Sequence, residues 1–294
     1  MLQQRLLIHL KRRYRKQLLP AFHLYRRLTV CSQVSTARQK RWLMGNGELG
    51  LAQRQLLDGA SSHISPRDTM YNGDGAHYFR VGLSAAECIN AAVAAAQLHN
   101  VKAILDLPCG HGRVLRVLKR QFPSAVLTAC EIDRDGVQFC QSEFGATPAY
   151  SQVDLKNLTL EGKFDLIWCG SLVTHLPAES IKELLDFFHR HLAPGGLLVF
   201  SAHGAFVADR VRTSRTALYG LNDDLSANML KAYEATGYGY ADYPDKVDGY
   251  GLSLTSRPWV ETQIDAIAGW QLIYFAERKW DQHHDIYGVR RNPV

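Results

Sequence analysis

The chain has 294 residues, 46% hydrophobic and 21% charged, with six cysteines and a formal net charge of +6. That length can bury a large α/β core without disulfide staples, and no apolar run approaches the roughly 18 residues that would cross a bilayer. Cys31, Cys88, Cys109, Cys130, Cys140 and Cys169 include no Cys-x-x-Cys pair, so buried reduced thiols of an intracellular protein are expected. No metal site is expected, because the His283-His284 pair has no cysteine partners at ligand spacing.

Charge is distributed unevenly along the chain. Eleven Lys and Arg precede the first acid, Glu48, so a chain of net +6 carries −5 beyond that point. Residues 1–45 are predicted as a basic amphipathic helical extension. Leu2, Leu6, Leu10, Tyr14, Leu18, Leu24, Tyr25 and Leu28 fall on one half of a helical wheel, and Pro20 should bend or break the helix. Such a stripe suits packing on the rest of the chain or on a second subunit. It also suits an anionic membrane surface reached through residues 1–30, an organelle-targeting segment, or a tether for RNA. The expected location is the cytoplasm, peripheral to a membrane if the second use holds. Nucleic acid is the less favoured partner, because the positive charge belongs to the tail and not to the catalytic portion.

Residues 46–76, ending in Asn72-Gly73-Asp74-Gly75, read as a turn-rich linker, and a single domain is expected over 77–294. An alanine-rich helix is predicted from Ser84 to Leu98. Ile104 to Asp106 is a short apolar strand running into Leu107-Pro108-Cys109-Gly110-His111-Gly112, with a helix from Val114. Backbone N–H groups, a helix N-terminus and an acid converge there, which suits a nucleoside-containing ligand. Ala125 to Glu131 is a second strand, ending in a carboxylate where a doubly wound sheet binds ribose hydroxyls. The dinucleotide fingerprint needs glycines where Pro108 and Leu115 stand, which disfavours a nicotinamide cofactor. A helix capped by Asp133 follows, then strands at 147–150 and 164–169, and a helix at 179–192 with Ile181, Leu184, Leu185 and Phe188 on one face. Pro194-Gly195-Gly196 turns the chain into a strand at 197–201. A helix capped by Ser256 and strands at 270–276 and 285–290 complete the pattern.

Read together, Asp106 to Gly112, Glu131, Val153-Asp154-Leu155, Phe164 to Cys169 and Leu192 to Phe200 resemble, in order, the motifs of class I S-adenosylmethionine-dependent methyltransferases. The resemblance covers about residues 78–204. It implies an α/β, doubly wound, mostly parallel seven-stranded sheet with an antiparallel edge strand and helices on both faces. It also implies S-adenosylmethionine as cofactor, held by Tyr78, Asp106, Pro108, Cys109, Gly110, Gly112, Glu131, Ile132, Asp154, Leu155, Cys169 and Gly170. Tyr78 has a second reading, as an anchor of its helix to the sheet. Pro108 departs from the family glycine; it has no N–H to donate, so donation passes to Cys109 and Gly110.

For an oxygen acceptor a general base is needed, and His203, just past the fifth strand, is the first candidate, with His175 second. His283 and His284 sit before the last strand, within reach of a lid. The insertion at about 205–257, with Tyr233, Tyr238, Tyr240, Tyr243 and Tyr250, is expected to cover the acceptor, or else to form an oligomer contact. The expected acceptor is the hydroxyl of a small molecule or glycan. RNA methylation tethered by the basic tail, and cofactor binding without catalysis, are the alternatives.

Overall fold

Short, almost wholly apolar segments alternate with amphipathic helices from residue 103 to 202, and such strands satisfy their burial only in a parallel sheet covered on both faces. In the computed structural model, which describes residues 19–214 and 218–293, that sheet forms. The chain divides into two units, residues 1–79 and 80–294.

In the first unit, residues 19–28 are helical and helices follow at Gln33–Gly45 and Leu51–Asp58. Ser32 caps the first of these by accepting from Ser35 N. Residues 1–18, most of the predicted basic stripe, lie outside the described residues. Of that stripe, Leu24, Tyr25 and Leu28 are exposed. The stretch expected as a linker, 46–76, is instead ordered and packed: Leu57, Ile64 and Tyr71 are buried. Its polar composition hid this, because cationic side chains bind its backbone. Lys40 donates to the carbonyls of Asp58 and Ala60, and Arg26 to those of Asp68 and Tyr71. Asp74 accepts from His77 N at the start of the next helix, Gly75–Ala95, so the predicted turn is that helix's cap.

The second unit is built on β1 (Ala103–Asp106), β2 (Val126–Glu131), β3 (Thr147–Tyr150), β4 (Phe164–Cys169) and β5 (Leu192–Ala202). Beyond a small antiparallel pair, β6 (Tyr238–Asp242) and β7 (Gly251–Thr255), come β8 (Trp270–Trp280) and β9 (His284–Arg291). The main sheet has the order β3-β2-β1-β4-β5-β9-β8. Strands β1 to β5 are mutually parallel, while β9 pairs antiparallel with both β5 and β8. The expected antiparallel pair thus lies at one edge of the sheet, with β9 antiparallel to both neighbours and β8 outermost. The turn expected at Pro194-Gly195-Gly196 is a bulge inside β5: β4 advances from Phe164 to Leu166 while β5 advances from Leu192 to Leu197.

Strand order reverses between β1 and β4, and in such sheets ligands bind at the carboxyl ends of the strands beside that reversal. The sheet is held there by the helix Ala178–His191, which buries Ile181, Leu184, Leu185, Phe187 and Phe188. Each such side chain contributes about 1.5–3 kcal/mol on burial. The insertion has a core of its own, formed by Val207 and Met229 from the helices Ala205–Thr213 and Asp223–Thr236, Leu221 from the loop between them, and Leu252 and Leu254 from β7.

Candidate active site

The loop after β1 is shaped by what lies beneath it. Gly112 adopts φ +74°, and a Cβ there would strike the ring of Phe144 and come within 3.1 Å of Cys140 Sγ. Phe144 and Cys140 belong to the helix Arg134–Phe144, so this glycine exists for close packing. Buried Arg116 braces the loop, its Nε donating to Gly112 O at 3.1 Å. A Cβ on Gly136 would in turn collide with Gly110 O. Gly110 differs. It has φ +51°, and a Cβ there would meet nothing within 4 Å, so its outer side is open to a ligand. Gly82, on the helix Gly75–Ala95, lets that helix approach Arg113 O, where a Cβ would stand 2.6 Å from the carbonyl.

Two carboxylates border this loop. Glu131, at the end of β2, accepts from Gly110 N (3.1 Å), Ile132 N (2.7 Å) and Asp133 N (3.4 Å). Asp106, at the end of β1, is 1% exposed and its Oδ2 has no hydrogen-bond partner among the described residues. Burial, with Glu131 nearby, pushes the Asp106 carboxyl well above the ordinary carboxylate range. A bare buried acid is costly to keep and calls for a cation or a donor beside it.

The other predicted cofactor residues are placed less uniformly. Pro108 follows a cis peptide bond and is partly exposed; the N–H of Cys109 is taken by Cys130 O, which leaves Gly110 as the loop's outward-facing position. The neighbouring Cys140 thiol and burial raise the pKa of the Cys109 thiol. Ile132 is exposed beside Glu131. Asp154 closes its own turn, accepting from Lys156 N and Asn157 Nδ2, while Leu155 and Cys169 point into the hydrophobic core. For those two, only backbone groups are available to a ligand. Gly170 is pressed against Trp168 and Trp280 and is followed by Ser171 at φ +62°. Tyr78 is buried in the N-terminal unit, its hydroxyl donating to Asp68 Oδ2 at 2.6 Å.

A second group of side chains gathers at the carboxyl ends of β4 and β5. His175 follows β4, and its Nδ1 lies 2.9 Å from Gly251 O. A carbonyl only accepts, so Nδ1 carries the proton and Nε2 keeps a lone pair. The Tyr243 hydroxyl lies 3.2 Å from the same Nδ1, and the ring stacks on Tyr250 with centroids 4.9 Å apart. Burial lowers the pKa of His175. His203 is buried with its Nδ1 unpartnered, stacks on His284 (4.9 Å) and meets His283 edge-on (5.2 Å). Burial, reinforced by the neighbouring imidazoles, pulls its pKa well below the ordinary histidine value, and His284 is pulled down to about 3. Burial, with a smaller contribution from the Glu131 carboxylate, raises the pKa of the Tyr250 hydroxyl.

Residues 104–196 match the model of a family described as "Methyltransferase domain". Over that stretch the chain is similar to methyltransferase domains. A 111-residue stretch is 30% identical to malonyl-[acyl-carrier protein] O-methyltransferase of Priestia megaterium, covering 35% of this chain and 37% of that protein. The chain matches less than half the length of the first such relatives. By fold it is similar to an S-adenosylmethionine-dependent methyltransferase of Clostridium acetobutylicum (15% identity, 71% of this chain and 91% of that one, TM-score 0.50). It is equally similar to CalS10, an amino pentose methyltransferase of Micromonospora echinaspora (16% identity, 72% and 92%, TM-score 0.50).

The sequence located the loop and both acids but missed how the second group of side chains is assembled. His283 and His284 join His203 across 80 positions of sequence, and Tyr219 donates a further ring to the group. The forewarnings were the tyrosine content of the insertion and the placing of His283 and His284 within its reach; their meeting with His203 was not foreseen. The expectation of no metal site rested on neighbouring residues alone; one nitrogen from each of His203, His283 and His284 lies within 4.8 Å of the others.

Proposed function

We propose that the protein transfers a methyl group from S-adenosylmethionine to a hydroxyl of a small-molecule or glycan acceptor, held under the insertion. The bare, buried Oδ2 of Asp106 beside Gly110 and Glu131 carries this reading. That carboxylate fits the ammonium of the cofactor's methionine moiety, and Glu131 fits the ribose hydroxyls. Ile132, exposed next to Glu131, offers an apolar face to the adenine.

S-adenosylmethionine would supply an electrophilic methyl group on a sulfonium, so the protein's work is alignment and proton removal. His175 is the better-prepared base. Gly251 O fixes its tautomer and Tyr250 its ring plane, which leaves Nε2 to take the hydroxyl proton as the acceptor oxygen bonds to the methyl carbon. His203, the first candidate from sequence, is less suited, since its free Nδ1 is enclosed among other imidazoles. Tyr243 and Tyr250 hold His175 and line the acceptor side, where planar or sugar rings stack well.

Calorimetric titration with S-adenosylhomocysteine and with NAD tests the cofactor, and transfer of labelled methyl to a panel of hydroxyl compounds tests the acceptor. Binding of NAD in preference to S-adenosylhomocysteine would end this reading. Tight S-adenosylhomocysteine binding with no methylated product from any acceptor favours a non-catalytic role.

The exposed Leu24, Tyr25 and Leu28, with eleven cationic residues before Glu48, favour an anionic membrane surface as the partner of the N-terminal segment.

A further inference from the structure

His203 follows β5, while His283 and His284 stand in the turn between β8 and β9, so only the pairing of β5 with β9 brings them together. Their rings stand within 5.2 Å of one another, centroid to centroid, and each offers one nitrogen within 4.8 Å of the other two. Packing alone leaves a cost unexplained. The Nδ1 atoms of both His203 and His284 are buried without a hydrogen-bond partner, and each such orphan costs about 1–3 kcal/mol. Backbone groups of Ser253 and Trp280 lie against these two rings and hold their orientation. A second contact fixing a bare-nitrogen imidazole is the usual setting of a metal-ligating histidine.

We propose that His203, His283 and His284 form a binding site for one borderline divalent transition-metal ion of the zinc class, at the acceptor end of the cleft. Three imidazoles with an open fourth position match this ion, and bonds of about 2.0–2.1 Å would draw the rings inward by side-chain rotation. The donor set contains no carboxylate, which disfavours magnesium and calcium. Arg210 Nη1 sits 3.4 Å from His283 Nδ1, which leaves Nε2 as the ligand nitrogen. The Tyr219 hydroxyl, 3.1 Å from that Nε2, is an oxygen placed to reach the fourth position. Arg210 and Arg278 act on His283 as opposing charge. Asp281, two residues before His283, offsets them. The site does not depend on the reading of the cofactor cleft.

The full chain, stripped with chelator and dialysed, should be titrated with Zn2+ against a chromophoric competitor, and with Co2+ while its visible absorption is followed. One ion per chain is expected, with a low-coordinate Co2+ spectrum and histidine nitrogen ligation by X-ray absorption. H203A, H283A and H284A should each bind at least about tenfold more weakly. H99A, at an exposed histidine elsewhere, should bind as the wild type does. His283 is only partly buried, so H283A keeps the test decisive if H203A fails to fold. Zinc binding no tighter in the wild type than in the H203A/H283A/H284A variant would overturn the site, as would tight binding that survives in H283A. Tight zinc binding without S-adenosylhomocysteine binding would support this site and sink the cofactor reading separately.

Discussion

The two groups of residues proposed to hold the cofactor and the acceptor are made in opposite ways. The cofactor end comes from residues 106–113 and Glu131, within two adjacent parallel strands and the loops that leave them. The proposed acceptor end collects His175, His203, Tyr243, Tyr250, His283 and His284 from four separate stretches of the chain. The first is a local device whose glycines and acids are constrained by nearest neighbours. The second exists only because β9 pairs with β5 and because the insertion returns over β4.

The largest effect separating the two ends is expected in catalysis. H175A should lower kcat by about 10²–10⁴-fold while leaving the dissociation constant of S-adenosylhomocysteine within twofold, since it removes the base and not the cofactor grip. Unchanged turnover would move that role to another group. Next comes the loop. G112A forces a Cβ into Phe144 at a positive φ, and a loss of about 2–4 kcal/mol is expected, read as a fall in Tm of about 2–4 °C for each kcal/mol. G110A, with open space around it, should retain most of the stability and lose cofactor affinity instead. Equal melting of the two variants would show that the loop is not packed as described.

A smaller and pH-dependent effect is expected at Asp106. Its carboxyl is raised in the folded state above the ordinary value of 3.8, so the folded protein holds that proton more tightly than the unfolded chain. The associated stability is present below pH 3.8 and is lost as pH rises toward the folded value. D106N escapes this loss. In ligand-free protein, denaturant unfolding should show D106N gaining on the wild type as pH increases, while its affinity for S-adenosylhomocysteine falls. A gap that shrinks with rising pH would mean that Asp106 has a partner. The smallest effect concerns the N-terminal segment: sedimentation with anionic vesicles should be weakened by removing residues 1–45 and by added salt. Equal sedimentation of both forms removes the membrane as its partner.

Legibility followed the range of the interactions. Strand and helix positions from 103 to 202 were readable because periodicity reflects each element's own buried face, as with Ile181, Leu184, Leu185 and Phe188. The 46–76 segment misled because its order comes from Lys40 and Arg26 holding backbone carbonyls, a contact that leaves no pattern in composition. The antiparallel pair at one edge was anticipated from the resemblance and not from periodicity, since pairing partners are chosen by the whole sheet.

By itself, then, the sequence determined the alternating α/β plan, the glycine loop after the first strand and the acid ending the second. Each is dictated by local sterics, backbone hydrogen bonding and side-chain periodicity. Only the tertiary structure decided that Asp106 Oδ2 is buried without a hydrogen-bond partner among the described residues, that Gly251 fixes the tautomer of His175, and that three histidines separated by 80 positions share one small volume. Those outcomes depend on burial and on contacts between distant strands, which no stretch of chain specifies until the sheet has closed around it.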